Sequence, residues 1–276
     1  MDLTKPWRDY TYVAFDTETS GKYPLVDEVV EIAAVKWRDG KIIDTFQTLL
    51  KPSRLMGEAV IRIHHITNEM VENAPLIHTM LPAFEKFIED CVVIAHHTAF
   101  DMGFLSYDFE KAALALPLSI GLDSCALGRK AYPESPNHKL ATLCTLLKFD
   151  QTQAHRALDD SKACLHVGLQ CMEKLGATAT LEQIIAIQGA PFEWTRYSIN
   201  ALRAHEVFKT VVDATVQQAV LEMVYTGGSA PGQPRRVTPR GLVRNPDGDF
   251  MVGLCHKENF EKRYYFNRIV SAKILD

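Results

Sequence analysis

The chain has 276 residues, a length that accommodates one or two domains. Hydrophobic residues make up 47% of the sequence and charged residues 23%, which is typical of a globular protein with a sizeable core. The net charge of −4 excludes a strongly basic protein that coats nucleic acid without specificity, but it permits a local basic groove. Six scattered cysteines without a Cys-x-x-Cys pair indicate reduced thiols. Because no apolar run reaches membrane-spanning length and the start lacks a signal-peptide core, we expect a cytoplasmic protein without a membrane anchor.

The first two thirds of the sequence predict an α/β fold. Three strands are expected first, the second and third joined in a hairpin by a turn at Asp39-Gly40. Helices and one further strand follow, with Asn137 as a helix N-cap. The chain order, in which consecutive strands come first and strands mixed with helices follow, favours a mixed sheet. The predicted strands are 12–15, 29–37, 42–50 and 91–95, and the predicted helices are 82–90, 100–116, 138–147 and 154–175.

The last third differs in pattern and in charge. Residues 181–204 have helical character interrupted by Pro191, which predicts a broken connector, and a helix and a strand are expected within 207–225. Short strands separated by turns then predict a small β-barrel, with strands at 236–237, 250–255, 264–266 and 269–270 and a turn at 245–248. Residues 208–276 carry 10 basic and 7 acidic side chains, a net of +3, against −7 for the rest. We therefore predict three parts, namely residues 1–178, 179–207 and 208–276.

Four acidic residues stand at or near the ends of predicted buried elements. Asp16 and Glu18 follow a buried strand and, two residues apart on an extended chain, point to the same side. Asp101 opens a predicted helix, and Asp160 lies near the start of the long helix, five residues after His155. Gathered carboxylates repel one another unless cations are present, and oxygen ligands favour Mg²⁺ or Mn²⁺ over zinc. The pattern predicts a site for two such ions, with His155 as the base for an attacking water.

Three segments carry a resemblance to a known family. Residues 15–21 (FDTETSG), 95–101 (AHHTAFD) and 155–160 (HRALDD) resemble, in order and spacing, the three motifs of the DEDDh family of 3′–5′ exonucleases. The resemblance covers roughly residues 8–175. Within the family, this sequence looks most like the proofreading subunits of bacterial replicative polymerases. It implies an RNase H-like fold with flanking helices.

The family resemblance also implies roles for individual residues. Asp16, Glu18 and Asp160 would hold the first metal ion, Asp16 and Asp101 the second, and His155 would be the general base. At position 97 the family often has asparagine where this chain has histidine. The implied substrate-binding positions are Thr17, Thr19, His97 and Phe104.

The basic last part resembles a second family. Residues 235–242 (RRVTPRGL) and 262–269 (KRYYFNRI) resemble segments of the WYL domain, a small Sm/SH3-like barrel, with Asp249-Phe250-Met251 in place of the name-giving Trp-Tyr-Leu. The guanidinium groups of these segments can bind the phosphates of a nucleic acid, and their tyrosine rings can stack on its unpaired bases. A solvated basic face that packs against the acidic part is the alternative. The candidate residues for accessory nucleic-acid or ligand binding are Arg235, Arg236, Arg240, Lys262, Arg263 and Arg268.

Together these features predict a 3′–5′ exonuclease that releases nucleoside 5′-monophosphates from the 3′ end of single-stranded DNA. DNA is favoured over RNA, and DNA-repair or replication proteins are candidate partners. A 3′–5′ exoribonuclease of the same family and a non-catalytic nucleic-acid or nucleotide sensor stay open as alternatives. If residues 208–276 are an accessory unit, their removal should leave the chemistry intact.

Overall fold

The computed structural model describes residues 1–150 and 155–275. The chain divides into two compact units. The first unit comprises Met1–Ser20, Val29–Asp101 and Pro117–Trp194, and the second comprises Gly21–Glu28, Met102–Leu116 and Thr195–Asp276. In the part of the chain that the structure describes, no helix is both long enough and apolar enough to cross a bilayer.

The first unit contains a six-stranded mixed sheet. Its strands are β1 (Tyr12–Thr19), β2 (Val29–Arg38), β3 (Lys41–Leu49), β4 (Val92–Ala95), β5 (Ile120–Asp123) and β6 (Phe192–Glu193), in the order β3-β2-β1-β4-β5-β6. β1 pairs antiparallel with β2 and parallel with β4, and β4 pairs parallel with β5. The predicted hairpin is confirmed, because Asp39 and Gly40 form its turn with φ angles of 49° and 84°. The predicted α/β class with a mixed sheet is confirmed as well.

Eight helices begin in the described residues of the first unit, and two of them carry acidic residues of the predicted site. They are α1 (Glu58–His64), α2 (Asn68–Val71), α3 (Ile77–Ile88), α4 (Thr98–Lys111), α5 (Ser124–Ala131), α6 (Leu140–Leu146), α7 (Ala157–Gly176) and α8 (Leu181–Gln188). α7 packs on β1 and β2. Its residues Ala163, Val167 and Cys171, four apart on one face, are fully buried in the main core with Tyr12 of β1. This packing holds the first turn of α7 against the centre of the sheet.

Several element boundaries differ from the predictions. β5 and α5 were not predicted, because a four-residue strand that contains Gly121 is too short to show a period. α6 begins at Leu140 with Lys139 as its N-cap, and the predicted cap Asn137 instead accepts a hydrogen bond from the Lys139 N–H at 3.1 Å. α3 begins five residues earlier than predicted, and α4 ends five residues earlier. The predicted start of the long helix, residue 154, lies outside the described residues.

The second unit is built on a five-stranded antiparallel sheet. Its elements are α9 (Ile199–Arg203), α10 (Glu206–Gln217), β7 (Leu221–Tyr225), β8 (Pro234–Val243), β9 (Phe250–Cys255), β10 (Phe260–Tyr265) and β11 (Ile269–Ile274), with strand order β10-β9-β8-β7-β11. The predicted strand 250–255 is confirmed, and so is the turn before it, where the Gly248 N–H donates to the Asn245 carbonyl at 3.0 Å. The hydrogen-bonded order over the described residues is open at β10 and β11. Closure into a barrel therefore stays a prediction.

Segments that follow the first two motifs in sequence belong to the core of the second unit. Leu25 is 8% exposed in this core, and Tyr107 of α4 packs against it. The Glu110 carboxylate of α4 accepts hydrogen bonds from the N–H groups of Ile199 (2.9 Å) and Asn200 (3.1 Å) at the start of α9. Removing residues 208–276 would expose Leu25 and Tyr107, so this core does not support the expectation that they are dispensable. The predicted boundaries at residues 178 and 207 stay a prediction.

The close approach of Gly241 in β8 to Tyr23 gives a test of the second unit's packing. A Cβ atom at Gly241 would lie 2.0 Å from Cγ of Tyr23, which is far inside carbon–carbon contact distance. We expect Gly241→Ala to lower the free energy of unfolding by about 1–3 kcal/mol through overpacking, measured by urea denaturation. The matched control is Gly103→Ala in α4, where the added Cβ would lie an ordinary 3.7 Å from Pro24 and alanine favours the helix. Equal stabilities of the two variants would contradict the packing described here.

Candidate active site

Three carboxylates converge at the centre of the first unit's sheet. Asp16 and Glu18 are alternate residues of β1, so their side chains leave the same side of the strand. Asp160 is the fourth residue of α7 and is 9% exposed. Carboxylate oxygens of all three residues lie within 4.8 Å of one another. The structure therefore brings together residues that are more than 140 positions apart in the sequence.

A fourth carboxylate joins this cluster through the backbone of β1. Asp101, the fourth residue of α4, is 2% exposed. Its Oδ1 accepts hydrogen bonds from the Thr17 N–H at 3.0 Å and from the Thr17 hydroxyl at 2.7 Å. Since Thr17 stands between Asp16 and Glu18, these two bonds fix Asp101 to the strand segment that carries the other acids.

The electrostatics of the cluster show an excess of negative charge. Burial and the neighbouring Asp101 and Glu18 carboxylates raise the pKa of Asp16 well above its usual value. Burial and the Asp160 carboxylate raise the pKa of Glu18 to about 8. Burial raises the pKa of Asp101 to about 7, against the opposing effect of the hydrogen bonds it accepts. A divalent cation would compensate this charge, and an all-oxygen donor set suits Mg²⁺ or Mn²⁺, so the residues present fit such a metal.

His155, the predicted base, is attached to the cluster through its backbone. Its N–H donates to Oδ2 of Asp160 at 3.1 Å, and its φ angle of 62° lies in the left-handed region. The residue is exposed to solvent. Residues 151–154, which precede it, lie outside the described part of the chain. The structure thus places the histidine at the solvent-facing edge of the carboxylate cluster.

The predicted substrate-binding residues fall into different environments. The Thr17 side chain is engaged by a carboxylate, and Thr19 is 9% exposed at the end of β1. His97 is exposed, and its N–H donates to Oδ1 of Asp123 at 3.3 Å. Phe104 is 1% exposed on the buried side of α4. The predicted contacts of these residues with a substrate stay predictions, and the burial of Phe104 does not favour stacking of a base on its ring.

One residue of this region was missed in the sequence. Glu31 of β2 lies opposite Glu18 in the strand register and is fully buried. It forms an ion pair with Arg156 at 2.8 Å. The available signal was a single acidic residue within the apolar run 29–35, because a buried charge needs a specific partner.

Among the described residues a second group of potential metal ligands consists of His96, His97 and Cys125. Both ring nitrogens of His96 already have partners, namely the Ser124 hydroxyl at 2.8 Å and the His138 carbonyl at 2.9 Å. This group therefore does not extend the carboxylate site.

The predicted accessory residues of the second unit divide into engaged and exposed side chains. Arg235 is 8% exposed and donates to the carbonyls of Gly227 and Ala230, and Lys262 forms an ion pair with Glu258. These two side chains have structural partners inside the unit. The remaining four are exposed, namely Arg236, Arg240, Arg263 and Arg268. Among them, Arg240 forms an exposed ion pair with Glu261, and Arg263 and Arg268 lie over the rings of Phe250 and Tyr265.

Sequence comparisons identify relatives for both parts of the chain. The family model described as Exonuclease matches residues 13–167, and the WYL domain model matches residues 206–274. The DNA polymerase III PolC-type of Bacillus cereus is 39% identical over 153 residues, which is 55% of this chain and 11% of that protein. The PolC-type polymerase of Bacillus subtilis is 33% identical over 214 residues, 73% of this chain and 15% of that protein. The chain thus spans less than a sixth of the length of these curated relatives.

Solved structures share the fold. Exonuclease X in complex with 5′ overhanging duplex DNA superposes with a TM-score of 0.52 and 27% identity, covering 64% of this chain and 99% of that one. Exonuclease I superposes with a TM-score of 0.53 and 17% identity, covering 89% of this chain and 55% of that one. The nuclease domain of 3′hExo, a DEDDh family member, superposes with a TM-score of 0.53 and 18% identity, covering 64% of this chain and 98% of that one.

The raised pKa values of Glu18 and Asp101 predict an inverted pH dependence for the metal-free protein. Above the ordinary carboxyl range the folded state binds more protons at these groups than the unfolded state does. Stability is therefore greatest at low pH within this window, and we expect it to fall as the pH rises from about 5 to about 8. A tenfold change in proton affinity is worth about 1.4 kcal/mol, so the fall is on the order of a few kcal/mol.

Chemical denaturation in EDTA at several pH values measures this slope. Glu18→Gln should flatten it, whereas the control Glu58→Gln, at an exposed residue of α1, should not. Added Mg²⁺ should stabilise the protein more at pH 8 than at pH 6. A stability that increases with pH between 5 and 8 in EDTA would contradict the electrostatics described above.

Proposed function

Since the chain belongs to the exonuclease family, we propose that it hydrolyses the terminal phosphodiester bond at the 3′ end of single-stranded DNA and releases nucleoside 5′-monophosphates. The observation that carries the proposal is the convergence of Asp16, Glu18, Asp101 and Asp160, three of them with carboxylate oxygens within 4.8 Å of one another. Repulsion among these carboxylates destabilises the folded state unless cations neutralise their charge. The cluster is therefore expected in a protein that binds a metal ion there.

The carboxylates would hold two divalent cations. Asp16, Glu18 and Asp160 would hold one ion, and Asp16 with Asp101 the other. When bound, a pair of Mg²⁺ or Mn²⁺ ions supplies Lewis-acid stabilisation of the charge that develops on the phosphate. The hydrogen bonds from Thr17 to Oδ1 of Asp101 support this arrangement, because they hold Asp101 beside the strand segment that carries Asp16 and Glu18.

His155 would act as the general base. Histidine is the side chain most often used as a general base, and the exposed position of His155 beside Asp160 would let it take a proton from the attacking water. The water oxygen would bond to phosphorus and the bond from phosphorus to the 3′ oxygen of the preceding nucleotide would break. That oxygen would take a proton from solvent water, which leaves the shortened strand with a 3′-hydroxyl. Thr19 and His97 would contact the terminal nucleotide.

The similar proteins support DNA as the substrate. The PolC-type relatives are DNA polymerases, and the exonuclease X structure contains duplex DNA with an overhang. In the second unit, the exposed arginines Arg236, Arg240, Arg263 and Arg268 would bind a nucleic-acid backbone. Replication or repair proteins are the proposed partners.

Isosteric substitution of the clustered acids tests the chemistry. We expect Asp16→Asn and Asp160→Asn to reduce Mg²⁺-dependent cleavage below detection while the metal-free proteins stay folded, because each change removes a repelling charge. The assay uses matched 5′-labelled single strands of DNA and RNA, with Mg²⁺ or EDTA, resolved by length. The control is Asp159→Asn, which changes an acid paired with Lys162 but leaves the four clustered acids in place, and it should retain activity.

The outcomes of this assay separate the candidate functions. Shortening of the DNA from its 3′ end by the wild type in Mg²⁺ supports the proposal. Degradation of RNA with intact DNA would identify an exoribonuclease. Binding without cleavage would favour a sensor, and cleavage by Asp16→Asn and Asp160→Asn at the wild-type rate would refute the assigned site.

Substitution of exposed arginines tests the second unit. We expect Arg236→Gln, Arg240→Gln and Arg263→Gln together to weaken binding of a long single strand and to reduce the slope of log affinity against log salt by about 2, at roughly 0.7 for each lost phosphate contact. Binding is measured in EDTA, where no cleavage is expected. Point variants are preferred to truncation because Leu25 and Tyr107 depend on this unit's core. The control is Lys130→Gln, an exposed lysine of the first unit, and an unchanged salt slope in the triple variant would reject the role.

A further inference from the structure

Glu31 is a buried carboxylate with a complete set of donors. It is fully buried on β2 and lies opposite Glu18. Oε1 accepts from Nη2 of Arg156 at 2.8 Å and from Nε2 of Gln47 at 2.9 Å. Oε2 accepts from Nε of Arg156 at 3.2 Å and from the Ala157 N–H at 3.1 Å. The pairing with Arg156 is bidentate, which is the strongest and most orienting form of this ion pair.

The surroundings of Glu31 favour its ionised form, whereas those of Asp16 and Glu18 disfavour it. Burial alone would raise the pKa of Glu31, but the hydrogen bonds from Arg156, Gln47 and Ala157 together lower it below its usual value. A buried carboxylate that stays ionised is tolerated only where it is paired and hydrogen-bonded. Glu31 therefore belongs to an ion pair and not to the proposed metal-binding set.

Two of the three residues that donate to Glu31 are next to the proposed catalytic histidine in the chain. Arg156 and Ala157 are the two residues that directly follow His155 and open α7. Arg156 is the N-cap of α7 but provides no side-chain capping bond, and Glu31 accepts the free N–H of Ala157 in its place. On the other side, the N–H of His155 is held by Asp160. A non-glycine residue with a φ of 62° persists only where the surroundings determine its conformation.

We propose that Glu31 is a positioning residue that acts through Arg156 to hold the 155–157 turn, and with it the His155 side chain, in the reactive orientation. This inference rests on the proposed role of His155 as the general base. It also assigns Arg156 to Glu31 and not to a substrate phosphate, because Nε and Nη2 of its guanidinium are already committed. Glu31 cannot touch a substrate, since it has no exposed surface.

Conservative variants break this pair without removing bulk. Glu31→Gln presents an N–H₂ group to a donor of Arg156, and Arg156→Lys keeps the charge but cannot form two parallel hydrogen bonds. We expect each variant to lower kcat about 10- to 100-fold, as is usual for residues that orient a catalytic group, with little change in KM for the single strand. The matched control is Glu173→Gln, whose ion pair with Arg8 is half exposed, and it should leave kcat unchanged.

A double-mutant cycle separates positioning from general destabilisation. Single-turnover rates are measured at excess enzyme for wild type, Glu31→Gln, His155→Ala and the double variant, at a temperature where unfolding curves show all four folded. If Glu31 acts through His155, adding Glu31→Gln to His155→Ala should change the rate by less than about 2-fold. Additive losses would overturn the inference and leave Glu31 with a structural role only.

Other results also decide the question. A raised KM with unchanged kcat in Arg156→Lys would overturn the inference in favour of a substrate contact. If the wild type cleaves and Glu31→Gln cleaves equally fast, the inference fails alone. If the wild type shows no metal-dependent cleavage, the proposed function itself fails.

Discussion

Mutual repulsion among buried carboxylates is the constraint on which the rest of the first unit depends. Asp16, Glu18, Asp101 and Asp160 are brought together in a poorly solvated place, and the raised pKa values of the first three record the cost. The charge of Arg156 lowers the pKa of Glu18 but does not outweigh burial and the neighbouring carboxylates, whereas Glu31 is paired directly with Arg156. An arrangement that costs stability is retained where it serves a purpose, and cation binding is the purpose that this donor set fits.

Well-packed helices and strands around the cluster offset the unfavourable free energy of the carboxylate repulsion. α7 is buried against β1 and β2 through residues such as Ala163 and Val167, so the position of Asp160 follows from core packing. Asp101 is fixed by two hydrogen bonds from Thr17. The acids thus come from a strand and two helix starts, which are stiffer supports than loops, and the histidine is held by backbone bonds on both sides.

The second unit has a core that is not confined to the last third of the sequence. Leu25 and Tyr107 come from segments that follow the DxE motif and the Asp101 motif in the chain, yet they pack with residues of α10 and the five-stranded sheet. The contact between Tyr23 and Gly241 belongs to the same unit. The WYL-like sequence is therefore part of a larger folded unit, and its sheet cannot be treated as an appendage that can be removed without effect.

Local patterns in the sequence predicted the mixed sheet and the Asp39-Gly40 hairpin, which the structure confirms, because strand alternation and turn chemistry are short-range properties. Motif spacing also singled out the four acids and His155, whose catalytic roles are proposed. Short-range patterns did not reveal β5, whose four residues show no period. They also did not reveal Glu31 as the partner of Arg156, since 125 residues separate the two. Only the tertiary structure decided these points, because burial and ion pairing depend on which distant segments meet.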